Sequence, residues 1–220
     1  MIIIIFMNNK ISPPPKFLVD RYKKWKSKEY LKNEVQLRKL ASSGQSPSTM
    51  VISCCDSRIH ATSIFGADEG EFFIHRNIAN LVPIYSPDGE NHGTSAAIEY
   101  AIKELKVRHL IVLGHKDCGG IKNGHYIHTN SVNPKYEFIN KWLSILQPAY
   151  NKIQKDISEQ EQIHQLEQES IKVSINNLFS FPFIKNAIDE NNLSIHGLIH
   201  DIGSGNLKFL NPVTENFENF

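Results

Sequence analysis

Short apolar runs alternate with polar segments through the first half of the chain. STMVIS at residues 48–53, EFFI at 71–74 and HLIVLG at 109–114 each end abruptly at polar residues. Apolar runs of this length, bounded by polar residues, are typical of buried strands. The pattern therefore predicts three strands, of which the first and third lead directly into cysteine- and histidine-bearing loops.

The segment between the second and third runs has the spacing of an amphipathic helix. Four of its apolar positions share one helical face: Ala97, Tyr100, Ala101 and Leu105. Strand, helix and strand in this order imply a right-handed crossover and a parallel sheet. The predicted fold class is α/β, and in such sheets ligands bind outside the carboxyl ends of the strands.

Further elements are predicted towards both ends of the chain. Residues 16–44 have the pattern of one or two helices ending at Gly44, and residues 135–190 look largely helical. Within the second region, the polar stretch at 155–170 is predicted to be a solvated helix face. Two short strands are expected around the GSG turn signal at 203–205.

Length and composition favour one globular domain. The chain has 220 residues, of which 40% are hydrophobic and 21% charged, and its net charge is only +1. We expect a flexible tail at residues 1–15 and a single domain at 16–220. Three cysteines are too few for a secreted disulfide framework, which favours a reducing, cytoplasmic location.

The first residues form an apolar run that is too short to cross a bilayer. MIIIIFMNNK falls well below the ~20 residues that a membrane span needs, and it lacks a signal-peptide cleavage site. We interpret it as part of the tail, or as residues upstream of a natural start at Met7. No membrane association is predicted.

The N-terminal helical region is strongly basic. Between Lys10 and Lys39, ten Lys or Arg residues face three Asp or Glu residues. A nucleic-acid-binding arm would look like this, and so would a solvated helix that directs Trp25, Tyr30 and Leu31 inward. The helix is favoured because the rest of the chain compensates the charge and no recognition motif accompanies it.

Two cysteines and a histidine lie at the ends of predicted strands. Cys54 follows the first strand, and His115 and Cys118 follow the third, so the three could converge in one crevice. Two thiolates and an imidazole suit Zn²⁺, and three protein ligands leave one position open for water. Taken singly, Cys54 is more often a buried core thiol, His115 is a satisfied polar group as often as a ligand, and Cys118 could pack against the following turn. The joint pattern nevertheless predicts a catalytic zinc site.

Charged residues follow the first cysteine at once. Asp56 is expected near the open metal position, where Arg58 can hold it through a bidentate ion pair. A free carboxylate is itself a zinc ligand, so without Arg58 it would compete with water and close the site. Cys55 points the other way on an extended chain and is predicted to lie in the core or behind the ligands.

These motifs resemble those of the β-class carbonic anhydrases. CCDSR at 54–58 fits the family's C-x-D-S-R and HKDC at 115–118 fits its H-x-x-C. The intervening segments also match: FIHRNIAN, GTSAAIEYAI and HLIVLGH. The resemblance covers most of residues 16–210.

The resemblance implies a zinc enzyme that interconverts CO₂ with bicarbonate and a proton. It matches Cys54, His115 and Cys118 to the ligands of one zinc ion per chain, and Asp56 with Arg58 to the catalytic dyad. It also implies a sheet of about four parallel strands plus an edge strand, flanked by helices. The assembly would be a homodimer or a higher even oligomer, with the N-terminal helix packing across the partner subunit.

Substrate-binding roles also follow from the resemblance. Gln45 matches a glutamine that contacts substrate from the dimer interface, and Gly119 and Gly120 would bring backbone near the substrate oxygens. Phe73 would line the crevice, and Arg76 would shape the route of the anion.

Some positions depart from the family pattern. Val51 and His200 stand where one branch of the family has the tryptophan and tyrosine of an inhibitory bicarbonate site, so that site is predicted to be absent. Lys116 stands where a small hydroxyl residue is common, which would alter the charge near the zinc.

Three alternatives remain open from the sequence. A relative with the same zinc ligands could hydrolyse CS₂ or another small heterocumulene. A non-catalytic zinc module would have Asp56 permanently in the fourth position, although Arg58 argues against this. DNA binding by the basic helix is the third, and it would require tight, salt-sensitive association with duplex.

Overall fold

A computed structural model describes residues 12–88, 90–129 and 136–220 of the chain. The chain divides into two compact units, and the division falls between Gln45 and Ser46. Of the predicted tail, residues 1–11 lie outside the described residues.

The first unit contains the two helices predicted for residues 16–44. They are α1 (Lys16–Ser27) and α2 (Glu29–Ser43), and α2 ends at Gly44, whose φ of 76° favours glycine. Neither helix has a buried residue. Trp25 packs edge-on against Tyr30, yet Trp25 is 44% exposed and Leu31 is 58% exposed. The predicted inward packing of Trp25 and Leu31 is therefore wrong for a single chain.

The second unit holds a mixed sheet and its helices. Its described elements are β1 (Thr49–Cys54), α3 (Ala61–Phe65), β2 (Phe72–Asn77), α4 (Gly93–Glu99), β3 (His109–His115), α5 (Gly119–His128), α6 (Ile139–Leu143), α7 (Gln147–Tyr150), α8 (Glu159–Leu178), α9 (Pro182–Asp189), β4 (Ser194–His200), β5 (Leu207–Leu210) and β6 (Phe217–Asn219). The strand order is β2-β1-β3-β4-β5-β6. β1 to β4 are parallel, whereas β5 and β6 are antiparallel to their neighbours.

Both faces of the parallel strands are covered. Every residue of β1 is buried. Met50 and Ile52 join one apolar cluster, and Val51 joins a second. Because side chains alternate along a strand, these two clusters lie on opposite faces of the sheet. This double burial explains why the predicted strands are continuous apolar runs rather than alternating patterns.

The α/β class and the parallel core are confirmed, with two differences in detail. Two antiparallel strands, β5 and β6, follow the parallel core rather than one, and the three-residue β6 has too short a pattern to predict. The polar stretch at 155–170 is not simply a solvated face, since α8 packs along the sheet and buries Glu167 and Ser170. No described helix is both long and apolar enough to cross a membrane.

Gly197 in β4 gives a test of this packing. A Cβ at Gly197 would lie 3.1 Å from both Ile171 Cγ2 and Leu210 Cβ. We expect Gly197→Ala to lower the free energy of unfolding by about 1–3 kcal/mol, measured by urea denaturation. Gly93→Ala is the control, because no heavy atom of the described residues lies within 4 Å of its added Cβ apart from its chain neighbours and its own helix backbone. Equal stability of the two variants would contradict the packing described.

Candidate metal centre

Two cysteines and one histidine meet at the carboxyl edge of the sheet. Cys54 is the last residue of β1, His115 is the last residue of β3, and Cys118 directly precedes α5. The Sγ atoms of Cys54 and Cys118 lie 3.8 Å apart. The ligand atoms of all three buried residues lie within 4.8 Å of one another. The structure therefore brings together the three residues that the sequence indicated as metal ligands.

The donor set and its spacing fit Zn²⁺. Two Zn–S bonds of about 2.3 Å at a tetrahedral angle separate the sulfurs by roughly 3.8 Å. His115 Nδ1 donates to the Lys116 carbonyl at 2.9 Å, which leaves Nε2 as the atom available to a metal. Nε2 is buried, and among the described residues it has no hydrogen-bond partner. Buried polar atoms are rarely left in this state, so the orphaned nitrogen supports a metal-ligand role.

The two thiols already differ in their readiness to lose a proton. The hydrogen bond between the sulfurs lowers the pKa of Cys54 and raises the pKa of Cys118. The Asp56 amide also donates to Cys54 Sγ at 3.4 Å, which supports a thiolate there. The thiolate is the form that binds metal. The contacts of Cys54 with Cys118 and with the Asp56 amide therefore favour its metal-binding form.

Asp56 is restrained beside the metal ligands by Arg58. The guanidinium donates from Nε to Oδ1 at 2.9 Å and from Nη2 to Oδ2 at 2.7 Å. These bonds hold the pKa of Asp56 well below its usual range. Asp56 Oδ2 lies 4.0 Å from His115 Nε2. An ionised carboxylate is thus fixed next to the ligand cluster, with its oxygens engaged by Arg58.

Two arginines also fix the backbone of the ligand loops. Arg58 Nη2 donates to the Asp117 carbonyl at 3.0 Å, which ties the loop after β1 to the loop after β3. Arg76 donates from Nε to the Cys54 carbonyl at 2.9 Å and from Nη2 to the Asp56 carbonyl at 2.6 Å. The structure therefore gives Arg76 a backbone-anchoring position, whereas its role in the route of the anion stays a prediction.

Glu167 is a polar residue of this region that the sequence interpretation missed. Its Oε1 accepts from the Cys118 amide at 2.9 Å, and the residue is only 2% exposed. Burial raises the pKa of Glu167 to about 7. A signal was present, because Ile163, Leu166 and Ile171 have helical spacing and Glu167 falls within their buried stripe. The polar composition of the segment concealed it.

The predicted glycines follow the metal ligands directly. Gly119 and Gly120 open α5 immediately after Cys118. A Cβ at Gly120 would lie 2.9 Å from Ile78 Cγ2 and 3.1 Å from Ala79 Cβ. Glycine at this position therefore lets the start of α5 approach the residues that follow β2.

One predicted substrate residue, Phe73, lies away from the ligand cluster within one chain. In the parallel pairing of β1 with β2, Phe73 lies beside Met50 and Asn77 lies beside Cys54. Phe73 is therefore four positions before the neighbour of Cys54. At about 3.3 Å per residue, this separates Phe73 from Cys54 by roughly 13 Å along the strands. Gln45 is exposed at the end of the first unit. A substrate role for Phe73 would therefore have to be exercised from another subunit.

Cys55 does not occupy the predicted position in the core. It is exposed, and its amide donates to the Asn77 carbonyl at 2.9 Å. The prediction assumed that strand alternation continues, but β1 ends at Cys54 and the chain turns away. An open cavity of about 820 Å³ begins beside Cys55. Its apolar lining includes Ile78, Phe138, Ile139, Trp142 and Ile145.

Comparison with known protein sequences gives a consistent result. A family model described as carbonic anhydrase matches residues 49–207. Beta carbonic anhydrase 3 of Arabidopsis thaliana is 40% identical over 184 residues, which are 82% of this chain and 70% of that protein.

Solved structures are similar over most of the chain. The β-carbonic anhydrase CcaA matches with a TM-score of 0.82 and 26% identity, covering 93% of this chain and 91% of that chain. A structure from a study of two tetrameric β-carbonic anhydrases of Sordaria macrospora matches with a TM-score of 0.74 and 33% identity, covering 88% of this chain and 95% of that chain. Since sequence, fold and ligand cluster agree, this chain belongs to the β-carbonic anhydrases, the zinc lyases that hydrate CO₂ reversibly to bicarbonate.

Proposed function

We propose that Cys54, His115 and Cys118 hold one zinc ion per chain and that CO₂ is hydrated beside it. The observation that carries the proposal is the buried His115 Nε2, which has no hydrogen-bond partner among the described residues and lies beside two thiols whose spacing suits tetrahedral zinc. When bound, zinc lowers the pKa of water towards 7 and so makes a nucleophile available at neutral pH.

In this proposal Asp56 orients the attacking water. Its carboxylate is ionised and restrained, so it can accept a hydrogen bond from water but is kept from competing for the metal. Arg58 acts through Asp56 and is a positioning residue. Gly119 follows Cys118 with open space where a Cβ would stand, which leaves room for a small linear substrate, and Gly120 would bring its backbone near the substrate oxygens while α5 packs on Ile78 and Ala79.

We further propose a homodimer or a higher even oligomer. Exposed apolar side chains on both units support this, among them Trp25, Leu31 and Phe138. The S. macrospora relatives are described as tetrameric. In such an assembly the N-terminal helices would pack across a partner, Gln45 would contact substrate from the interface, and Phe73 would serve the neighbouring site.

A cytoplasmic location is proposed from the chemistry of the ligands. Cys54 and Cys118 must stay reduced to bind zinc, and a reducing compartment maintains free thiols. CO₂ and bicarbonate are the proposed small-molecule partners. No nucleic-acid or membrane partner is proposed.

Loss of one metal ligand tests the zinc assignment. We expect Cys118→Ser to lose zinc and to reduce the CO₂ hydration rate to that of buffer, measured by metal analysis and stopped flow. The wild type should lose activity with a strong chelator and regain it when zinc is restored. Cys55→Ser is the matched control, since this exposed thiol lies outside the ligand cluster. A zinc-loaded wild type without hydration activity would instead favour another heterocumulene substrate or a non-catalytic site.

Asp56→Asn tests the role of the restrained carboxylate. We expect kcat for hydration to fall by about 100-fold with zinc retained. The neutral amide oxygen is a weaker hydrogen-bond acceptor for water than a carboxylate oxygen, and the amide NH₂ cannot accept a hydrogen bond from Arg58. Asp88→Asn is the control, as Asp88 is an exposed carboxylate that pairs with His92 four residues later in the chain. Zinc loss from Asp56→Asn would argue that Asp56 is itself a ligand, as in the non-catalytic module.

The oligomer proposal is tested on the full chain in solution. We expect sedimentation to give a mass of two or four times 25.1 kDa. Leu31→Glu should shift the population towards the monomer, because it brings a charge to an exposed apolar position on α2. A wild-type monomer that retains full activity would contradict the proposal.

A further inference from the structure

The helix α8 contacts the loop that carries two of the metal ligands. Glu167 Oε1 accepts from the Cys118 amide at 2.9 Å. One turn earlier, His164 Nε2 lies 3.6 Å from Asp117 Oδ1. Both contacts reach the segment between β3 and α5, which must hold His115 and Cys118 in one geometry.

This segment has a conformation that needs support. Asp117 has a φ of 56°, in the left-handed region that non-glycine residues rarely adopt. Cys118 then returns to extended backbone and precedes α5, whose first amides have no partner within the helix. Such a backbone persists only where surrounding groups fix it. Arg58 fixes one side through the Asp117 carbonyl, and Glu167 fixes the other through the Cys118 amide.

We propose that Glu167 is a positioning residue for the metal ligand Cys118, acting through the hydrogen bond between its carboxyl oxygen and the Cys118 amide. The inference rests on the proposed zinc function of Cys118. In this proposal Glu167 maintains the geometry of the metal site by accepting a hydrogen bond, and its negative charge is not required.

The cost of burying Glu167 supports a specific role. A buried carboxyl group is expensive unless its oxygens are paired, and an apolar residue of similar size would fill the same space more favourably. Only Oε1 has a protein partner, whereas the buried Oε2 has none among the described residues. The hydrogen bond to Cys118 is therefore the contact that distinguishes glutamate from leucine here.

Two substitutions at Glu167 separate hydrogen bonding from packing. Glu167→Leu removes the acceptor, whereas Glu167→Gln keeps an acceptor oxygen at the same reach. We expect the zinc dissociation constant, measured by chelator competition, to rise roughly 10- to 100-fold in Glu167→Leu, as is typical when a partner of a metal ligand is lost. Glu167→Gln should remain within about threefold of the wild type. The d–d bands of the cobalt-substituted protein should change in Glu167→Leu only.

Glu169→Leu is the matched control on the same helix. Glu169 is largely covered and pairs with Lys172 at 2.6 Å, without a contact to the ligand loop in the described structure. We expect its variant to keep wild-type zinc affinity even if it is less stable to heat. The proposal is overturned if Glu167→Leu binds zinc as tightly as Glu169→Leu does, or if Glu167→Gln loses as much affinity as Glu167→Leu.

A second measurement applies if Glu167→Leu does not fold. Hydrogen exchange of the Cys118 amide should be slow in the zinc-loaded wild type and in Glu167→Gln, since both keep the acceptor. Exchange at the rate of an unprotected amide would overturn the inference. A wild type that binds no zinc would instead refute the proposed function, so the two failures are distinguishable.

Discussion

The parallel pairing of β1 with β3 is the constraint on which the metal centre depends. In this register Ser53 lies beside Leu113, so both strands deliver their last residues to the same edge of the sheet. Cys54 and His115 are therefore neighbours in space although they are far apart in sequence. A slip of one residue would turn every side chain of β1 to the opposite face and would bury Cys55 in place of Cys54. The apolar clusters on both faces prevent this slip.

Much of the fold and the ligand set could be predicted because they depend on local patterns. Apolar runs that stop at polar residues indicated β1 and β3, and the helical spacing between them indicated a crossover. Once the sheet is parallel, residues at the carboxyl ends of neighbouring strands must converge, which brings Cys54 close to His115. The pairing of Asp56 with Arg58 was also accessible, because two residues in one short loop can meet without any knowledge of the rest of the chain.

Contacts between distant segments could not be predicted in the same way. Glu167 falls within the apolar stripe of a helix that looks solvated by composition, but its contact with Cys118 follows from how α8 lies against the sheet. Cys55 was misjudged because the end of β1 is set by pairing with its neighbours and not by the residue itself. The position of Phe73 in β2 also depends on register. Each of these required the three-dimensional arrangement, since a single sequence carries no record of which elements touch.

The two arginine anchors have a consequence for when the site becomes ordered. The guanidinium groups of Arg58 and Arg76 donate hydrogen bonds to backbone carbonyls of the ligand loops, and these bonds involve no metal. The entropy of ordering the loops is thus lost when the chain folds, on a core large enough to stand alone. A zinc finger, by contrast, orders itself only around its ion. In this protein the supply of zinc would control how many molecules are active without controlling how many are folded.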